Sequence, residues 1–510
     1  MIATPAAYAP LSQVRRVGFA ADFRLIDLHA ADNASVSTSA QASVSRDEQL
    51  VGGITTGPSG RFVSLEPNLW LLDGSLRCVD AADSAEAVGW WSLSLSGTDR
   101  TFPAAAVPTV TFSLSAAASS IGFTLYFDGD SGALPAQVKT TVYAGATQLA
   151  THTDAVTDTV LVVDLPVEAY DRVVFAFPAS SFPGRRVRLM GVVFGVVKSY
   201  AAHNLSRATI TYGASQTAES FPSRQLNMTI DNSRKEYNMR NPDSIYAYLQ
   251  DGQEIRVRMT IGGVAVDMGR FHFTSASAKD SGLTAELVAN DRAYTLDGSI
   301  YVPGSHADEI LPLGTAVSYV LGARSVAVEY GAGIQARQVR LSPPEGTSVR
   351  EVLRLLAQAA RCAVWFDRSG VLRFGELVAA DEAVQRYGRD ALYSMDGISV
   401  RDKVDKVSLD IAREQDKDDA VYSYGDGDNE IEIKNPCVAP EQAETVAQWL
   451  HGCYAHRVLY KSKTRGDPAV EIGDTVEIAD TFGDPGLSVV TELTMQYNGG
   501  LNITVGGVGA

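Results

Sequence analysis

Residues 226–258 read LNMTIDNSRKEYNMRNPDSIYAYLQDGQEIRVR, and this stretch decides the fold of the region around it. Apolar and polar residues alternate from Leu226 to Ile230, which predicts a strand that is buried on one face. Asp231-Asn232 predicts a turn, because short polar side chains bond to nearby backbone groups, and Asn241-Pro242 predicts a second turn. The alternation from Ile255 to Met259 predicts the returning strand. The prominent residues form turns or pack together, so the stretch indicates a structural role rather than catalysis.

The bulk composition is that of a globular protein with several cores. A chain of 510 residues is too long for one core, so about three to five domains are expected. The hydrophobic content of 45% and charged content of 20% are ordinary for folded domains. The formal net charge of −17 argues against a nucleic-acid-binding surface, which needs clustered Lys and Arg. It would suit a channel that DNA slides through, although a requirement for solubility explains the same charge.

The cysteines and the N-terminal residues bear on the cellular compartment. Cys78, Cys362, Cys437 and Cys453 have no CxxC spacing and are few for the length, so neither a disulfide framework nor a zinc ribbon is indicated. The first residues show no signal-peptide pattern, and no apolar run approaches about 18 residues. We therefore predict synthesis in the cytoplasm and no membrane anchor.

Periodicity and turn residues divide the chain into five predicted segments. Residues 1–60 combine a strand with a Ser/Ala/Thr-rich stretch that we interpret as a linker or an extended arm. Residues 61–198 show short alternating strands and no helical period, which predicts a β-sandwich. We expect a barrel-like antiparallel sheet over 199–300, mixed helix and strand over 301–397, and a strand-rich, barrel-like end over 398–510. The predicted class is mainly β with α+β parts, in several domains.

One helix and one hairpin in the 301–397 segment are especially clear. Ser348 and Glu351 have the spacing of a capping box, in which each side chain bonds to the other residue's backbone N–H, ahead of an apolar helical stripe. The pattern then changes to period two, turns at Asp367-Arg368-Ser369-Gly370 and returns through Leu372 and Phe374. The predicted order is therefore helix followed by hairpin.

These features together resemble a known family. The order strand, Asp-Asn, Asn-Pro, Ile-Tyr-x-Tyr-Leu, Gly-Gln, strand in 226–258 resembles the first hub domain of phage tail-tip and baseplate hub proteins. The helix with its Asp-Arg-Ser-Gly hairpin and the late Gly473-Asp474 hairpin are also similar to that family. The resemblance covers roughly 199–510. It implies a first tube-like hub domain at 199–300, an α+β hub domain at 301–397 and a second tube-like domain at 398–510.

The β-sandwich has a weaker resemblance of its own. Its closing sequence FPGRRVRLMGVVFG, residues 182–195, is similar to the last strand of carbohydrate-binding jelly-roll modules. Such modules also accompany some tail hubs. The resemblance implies a sandwich that projects toward a host surface or toward neighbouring baseplate proteins.

The resemblance to tail hubs implies a function without chemistry. It implies a homotrimer in the virion, assembled in the host cytoplasm, that adapts the six-fold tail tube to a three-fold tip. The implied partners are other copies of the chain, the tail tube or distal tail protein, the tape measure protein, tail fibres or a spike, and a host-surface glycan. No cofactor and no specific nucleic acid are implied. Many relatives continue into a cell-wall hydrolase, and because this sequence ends at Ala510 we expect a hub without that domain.

Two sets of residues are candidates for ligand contacts in the 61–198 segment. Trp70, Trp90 and Trp91 have side chains that could stack on a sugar ring, but the sequence favours buried anchors of the sandwich core, since tryptophan contributes a large buried area wherever it packs. Asp128 and Asp130 have the spacing of a calcium loop, although Asp-Gly also favours a plain hairpin turn.

Motifs for catalysis are missing from the sequence. It contains no HExxH, GxSxG, P-loop or Rossmann pattern and no favoured pair of carboxylates. We therefore predict no catalytic, cofactor-binding or metal-ligating residues and expect a protein that is not an enzyme. The alternatives are a glycan-binding or glycan-degrading tail or secreted protein acting through the sandwich, and a free-standing adhesin.

Overall fold

The computed structural model describes residues 17–51, 60–62, 64, 66, 69, 73–75, 79–81, 88–128, 134–279, 281–388, 392–413, 420–465, 467–479 and 485–509. The fold is mainly β, with several sheets and few helices, which confirms the predicted class. Among the described residues no sheet closes into a barrel. None of the described helices is long and apolar enough to span a membrane.

The strands follow one another along the chain in three groups. Up to residue 200 they are β1 (Val17–Ile26), β2 (Ala34–Thr38), β3 (Gly60–Phe62), β4 (Val79–Ala81), β5 (Trp90–Trp91), β6 (Thr109–Phe127), β7 (Pro135–Ala144), β8 (Thr147–Ala155), β9 (Val160–Ser180), β10 (Arg188–Val193) and β11 (Gly195–Tyr200). Up to residue 400 they are β12 (Leu205–Gly213), β13 (Gln225–Asp231), β14 (Glu254–Ile261), β15 (Val264–Ala278), β16 (Thr284–Asn290), β17 (Ile310–Pro312), β18 (Val328–Tyr330), β19 (Gln338–Arg340), β20 (Ala363–Phe366), β21 (Leu372–Gly375), β22 (Gln385–Tyr387) and β23 (Leu392–Val400). The last are β24 (Lys406–Asp410), β25 (Val421–Gly425), β26 (Glu430–Lys434), β27 (Val458–Thr464), β28 (Thr475–Ala479), β29 (Pro485–Tyr497) and β30 (Leu501–Gly509).

The helices are short and lie mostly in the second half of the chain. They are α1 (Ala30–Asn33), α2 (Arg292–Asp297), α3 (Leu313–Leu321), α4 (Val349–Ala359) and α5 (Ala443–Ala455). Single 3-10 turns occur at Asp47–Val51, Ala104–Ala106, Tyr246–Tyr248, Ile334–Ala336 and Pro440–Gln442.

The chain folds as two compact units. The larger unit holds the described residues of Met1–Asp22, Ser199–Asn241 and Glu254–Ala510. The smaller unit holds Phe23–Lys198 and Pro242–Gln253. The five predicted segments and their boundaries stay a prediction.

The smaller unit is built around one antiparallel sheet with the strand order β5-β10-β6-β9-β7-β8. The Ser/Ala/Thr-rich stretch, interpreted above as a linker or arm, contributes β2, which pairs with β6 from Ala34↔Leu114 to Thr38↔Val110. Aromatic rings fill the core edge to face, as in Phe112 against Phe194 at 5.4 Å between centroids. This geometry suits the quadrupoles of the rings and adds to the area that they bury.

The long strands β6 and β9 replace pairs of shorter strands that the sequence predicts. Alternation is clear near 110–114 and 123–127, and the residues between them are mostly Ser and Ala, with Gly122 at the end. The chain stays extended through them, and the β6–β9 pairing shifts register between Ser113 and Gly122.

The larger unit contains a sheet with the strand order β14-β15-β16-β13-β12-β29-β30-β27-β23. Beside it, α3, α4 and α5 pack with two small sheets, β18-β21-β20 and β25-β24-β26, around a second apolar core. Helix α4 begins as predicted, since the Ser348 hydroxyl accepts from Glu351 N–H at 3.2 Å. The Glu351 carboxylate, expected to reach back to Ser348, instead accepts from the Arg354 guanidinium at 2.7 Å.

Candidate functional site

The indole rings of Trp90 and Trp91 face protein rather than solvent. Trp90 and Trp91 are both buried on β5, and the Arg188 guanidinium lies 3.8 Å from the centroid of the Trp91 ring. The Trp90 ring packs against Phe177. Trp70 lies outside the described residues. This arrangement offers a sugar no open indole face at positions 90 and 91, and glycan stacking at the three tryptophans stays a prediction.

Asp128, proposed as a calcium ligand, is paired with a cation of the protein itself. Its carboxylate accepts from Arg188 Nη1 at 3.0 Å, and the same guanidinium donates to the buried carboxylate of Glu66. Asp130 lies outside the described residues, so the calcium loop stays a prediction. In the described part of the chain, no group of three or more His, Cys, Asp or Glu side chains is placed to hold a metal ion.

The thiols of the larger unit are not poised for nucleophilic chemistry. Burial raises the pKa of Cys362 and of Cys437 to about 12. Both side chains lie in the second apolar core. A thiol in that setting stays protonated at neutral pH and acts as a packing group.

The Asp-Asn turn that follows β13 is a closed hydrogen-bond network. The Asn232 side-chain oxygen accepts from Tyr237 N–H at 3.1 Å, and Asn232 Nδ2 donates to Asn238 Oδ1 at 2.8 Å. Asn241 Nδ2 donates to the carbonyl of Lys235 at 2.9 Å, and Lys235 has a left-handed φ of 59°. The amides satisfy backbone groups that a loop of this shape leaves unpaired, as the sequence predicts for turn-forming residues.

Strand pairing joins the two segments that were predicted as tube-like. Strand β12 pairs antiparallel with β29, from Ala208↔Tyr497 to Gly213↔Glu492. On its other edge β12 pairs with β13, and β29 pairs with β30. Backbone from 205–290 and from 458–509 therefore shares one hydrogen-bonded sheet, although the two ranges lie far apart in sequence.

A buried arginine ties the predicted helix–hairpin segment to the end of the chain. Arg368, in the Asp-Arg-Ser-Gly turn, forms an ion pair with Glu471 in which the side chains are only 4% and 13% exposed. Its Nη1 donates to the carbonyl of Pro468 at 2.6 Å, and its Nη2 donates to that of Val470 at 3.0 Å. Burial by itself lowers the pKa of Arg368, but Tyr212 and Glu471 outweigh that effect and raise it. The guanidinium is therefore charged at any ordinary pH.

The same arginine contacts the first predicted tube-like segment. Arg368 Nη2 lies 3.4 Å from the Tyr212 hydroxyl, and Nη1 lies 3.5 Å from the Met268 sulfur. Arg224 donates to the carbonyl of Met268 at 2.6 Å. Gly269 has φ +95°, and a Cβ placed there would lie 2.5 Å from the carbonyl oxygen of Arg368. We call Arg368, Glu471 and Tyr212, with the backbone they contact at 267–269 and 468–470, the Arg368 clasp.

The sequence alone does not predict the role of Arg368 beyond its turn. The turn itself is recognisable from Asp367 and Gly370, and it forms, with Asp367 Oδ1 accepting from Ser369 N–H at 2.9 Å. No spacing rule connects Arg368 with Glu471, because only the folded chain brings them together. This cluster offers charge and hydrogen bonds that hold backbone segments in place.

Comparison with known proteins gives likenesses of structure only. No protein-family model matches the chain, and no curated protein matches its sequence. Among solved structures, it is similar to the 43 kDa tail protein of prophage MuSo2 from Shewanella oneidensis, with a TM-score of 0.46 and 16% identity over 61% of this chain and 95% of that one. It is also similar to a tail protein from Neisseria meningitidis MC58, with a TM-score of 0.46 and 13% identity over 61% and 93% of the two chains.

A third likeness is to a secretion component. The Escherichia coli c3393 protein, a component of the type VI secretion system with structural similarity to T4 tail proteins, gives a TM-score of 0.39 and 11% identity over 60% of this chain and 74% of that one. All three TM-scores lie below 0.5, so the likenesses are distant ones.

Proposed function

We propose that this chain is a structural hub of a phage tail tip or baseplate, or of a related particle. It acts as a homotrimer that adapts a six-fold tail tube to a three-fold tip, and it carries out no catalysis. It is assembled in the host cytoplasm and resides in the virion. Its partners are the tail tube or distal tail protein, the tape measure protein, fibres or a spike, and host-surface glycan reached through residues 61–198.

The observation that carries the proposal is the sheet shared by the two predicted tube-like segments. Residues 205–290 and 458–509 contribute neighbouring strands that meet at the β12–β29 pairing. Three copies of such a chain supply six sheet segments, and six quasi-equivalent segments match a hexameric ring by geometry alone. The hairpin at 367–370 and the parts of the first motif at 226–241 and 254–258, which resemble hub proteins, lie in the larger unit and support the same assignment.

The Arg368 clasp supports a structural role for this unit. An adaptor has to hold its sheet segments in a fixed relation while neighbouring rings load it. The buried Arg368–Glu471 pair and the carbonyl bonds to Pro468 and Val470 connect the hairpin to the end of the chain without a flexible linker. Removing either partner of a buried ion pair leaves an uncompensated charge, so the pair favours the arrangement in which both partners meet.

The test is the mass and symmetry of the purified full chain. We expect light scattering to give three times 54.4 kDa, and negative-stain class averages to show a three-fold ring with six similar lobes. A chain that stays monomeric at the highest attainable concentration, and that binds a glycan in that form, would instead favour the free-standing adhesin. A stable two-fold dimer would contradict the hub.

A further inference from the structure

The last hairpin of the chain carries a chemically reactive sequence at its turn. Strands β29 and β30 pair from Ser488↔Gly509 to Tyr497↔Leu501, and residues 498–500, Asn-Gly-Gly, connect them. Asn498-Gly499 is the one Asn-Gly pair in the sequence. Asparagine is a thermolabile residue, and a following glycine hinders reaction at its side chain least, because glycine has no Cβ.

The reaction open to this pair is an internal ring closure. The backbone nitrogen of Gly499 bonds to Cγ of Asn498 and closes a five-membered succinimide ring. The side-chain nitrogen of Asn498 leaves as ammonia and takes with it the proton that the backbone nitrogen loses. Water then opens the ring at one of its two carbonyl carbons and produces aspartate or isoaspartate. Water is the one co-reactant, and nothing is oxidised or reduced.

The structure leaves both reacting groups free. Asn498 and Gly499 are exposed, and among the described residues neither the Asn498 side chain nor the Gly499 N–H has a hydrogen-bond partner. The Asn498 backbone N–H donates to the carbonyl of Gly500 at 3.1 Å. Gly499 has φ +91°, and a Cβ placed there would meet no atom within 4 Å. No contact therefore holds the Asn498 amide away from the Gly499 nitrogen.

A second asparagine with a small neighbour is closed to the same reaction. Asn232 is followed by Ser233 but is 2% exposed, and its side-chain amide bonds to Tyr237 N–H and to Asn238 Oδ1. The N–H of Ser233, which would supply the attacking nitrogen, donates to Asp231 Oδ1 at 3.2 Å. Both reacting groups are held in other bonds, so the fold protects this position.

The isoaspartate product would change the turn covalently. It adds one CH₂ group to the main chain between residues 498 and 499, and it adds a negative charge. Tyr497, just before the turn, pairs with Ala208 of β12, and its buried ring stacks on Phe19 at 5.5 Å between centroids. The length of a hairpin loop sets the register of its strands. A longer loop therefore disturbs β29 where it joins β12.

We propose that Asn498 is a site of spontaneous deamidation in the folded protein, and that its isoaspartate form weakens the β29–β30 hairpin. The inference does not depend on the tail-hub function, because the reaction needs the folded chain and water alone. The exposed, unbonded pair at 498–499 carries it, and the closed pair at 232–233 makes the conversion selective.

The first test follows both asparagines in one sample of the full-length protein. The protein is kept at mildly alkaline pH, either folded or in guanidinium chloride, and is then cut after glutamate. Asn498 lies in peptide 493–510 and Asn232 in peptide 220–236. Mass spectrometry with electron-transfer fragmentation locates each conversion and distinguishes isoaspartate from aspartate.

In the folded protein we expect aspartate and isoaspartate to accumulate at position 498 while Asn232 stays intact. In the unfolded protein Asn232 should convert as well, because its protecting bonds are gone. A folded protein in which Asn498 stays intact, or in which Asn232 converts as fast as Asn498, overturns the proposal.

Two substitutions in the turn test the ring closure. Gly499→Ala puts a methyl group on the residue that supplies the attacking nitrogen and should slow the conversion severalfold. Gly500→Ala is the matched control, because it adds the same group to the same turn, also in open space, and should leave the rate unchanged. Equal rates for the two variants, or aspartate without isoaspartate, would mean direct hydrolysis of the amide and contradict the ring closure.

Asn498→Asp tests the effect on the hairpin, because it carries the added charge without the added CH₂ group. Protein that has been aged until position 498 is mostly isoaspartate should unfold at a lower concentration of guanidinium chloride than freshly purified Asn498→Asp. Equal midpoints for the two samples would contradict the weakening of the hairpin.

Discussion

Arg368 and Glu471, separated by 103 residues in sequence, form an ion pair in which the two side chains are 4% and 13% exposed. The rest of the guanidinium is used on backbone carbonyls, at 2.6 Å from Pro468 and 3.0 Å from Val470. The bonds reach a segment that has little regular structure of its own between β27 and β28. One side chain therefore fixes the path of the chain just before it enters the shared sheet.

Arg368→Gln should destabilise the larger unit strongly, because it leaves the Glu471 carboxylate buried without a cation. Loss of one partner of a buried pair costs about 3–5 kcal/mol. Arg373→Gln is the matched control in the same hairpin, since Arg373 pairs with Asp367 and Glu329 while 39% exposed. Arg373→Gln should lower the free energy of unfolding by less than about 1 kcal/mol. Unfolding in guanidinium chloride, followed by circular dichroism, measures both variants. Equal midpoints for the two would contradict the role given to Arg368.

Gly269→Ala tests the backbone contact beneath the clasp. Gly269 has φ +95°, and an added Cβ would lie 2.5 Å from the Arg368 carbonyl oxygen. Gly263→Ala is the control, because Gly263 has φ +88° with open space around it. Gly263→Ala should lower the free energy of unfolding by about 1–2 kcal/mol, because the left-handed conformation is unfavourable for alanine. Gly269→Ala should lose roughly 1–3 kcal/mol more, since the neighbouring backbone has to move. Thermal unfolding of the two variants side by side separates the steric effect from the conformational one.

The elements that the sequence predicts well are those with local causes. Alternation identifies β13 and β14, and Ser348 marks the start of α4 because its hydroxyl caps the first turn. The hairpin at 367–370 follows from Asp367 and Gly370, the latter with φ +79°. In each case the deciding groups lie within a few residues of one another. Local hydrogen bonds and side-chain periodicity are readable from a single sequence.

Contacts between distant segments could not be predicted in the same way. The pairing of β12 with β29 depends on which open edges meet after the local units form. The Arg368–Glu471 pair forms only once these distant segments have come together, and no sequence spacing predicts it. Burial is equally hard to foresee. The sequence leaves two interpretations open for Trp90 and Trp91, because an aromatic residue on a short strand can face either side. In the structure both side chains are buried, and the Arg188 guanidinium lies over the Trp91 ring.

Ser348→Ala removes the cap of α4 and should destabilise the larger unit moderately. The hydroxyl accepts from Glu351 N–H, and without it that donor has no side-chain partner at the start of the helix. Loss of such a cap costs about 0.5–2 kcal/mol. Glu351→Gln should cost less, because the Glu351 carboxylate pairs with Arg354 at the surface and does not cap the helix. Urea midpoints for the two variants check the order, and a larger effect for Glu351→Gln would contradict the observed bonding.

Cys362 and Cys437 should resist alkylation in the native protein. Burial raises the pKa of both thiols to about 12, so at pH 8 roughly one molecule in ten thousand carries the reactive thiolate at either position. Iodoacetamide labelling followed by peptide mass spectrometry should show these residues unmodified until denaturant is added. Labelling within minutes under native conditions would mean that the second apolar core opens readily.

Tyr212 should make the larger unit sensitive to alkali. Burial raises its pKa above the ordinary value of 10.0, so its phenol stays neutral in the folded chain and ionises first in the unfolded one. The stabilisation is complete below about pH 10 and is lost as the pH rises from there toward the folded-state pKa. Tyr212→Phe should cost about 1 kcal/mol at pH 7, where the hydroxyl donates to the Val470 carbonyl at 3.3 Å, yet lose less stability above pH 10. Unfolding free energies at pH 7, 9, 10 and 11, with tyrosinate absorbance at 295 nm, measure both effects.

Tyr319→Phe is the control for Tyr212→Phe, because the Tyr319 ring is 45% exposed. If the unfolding free energies of the unsubstituted protein and of both variants change in parallel with pH, the role given to Tyr212 is contradicted.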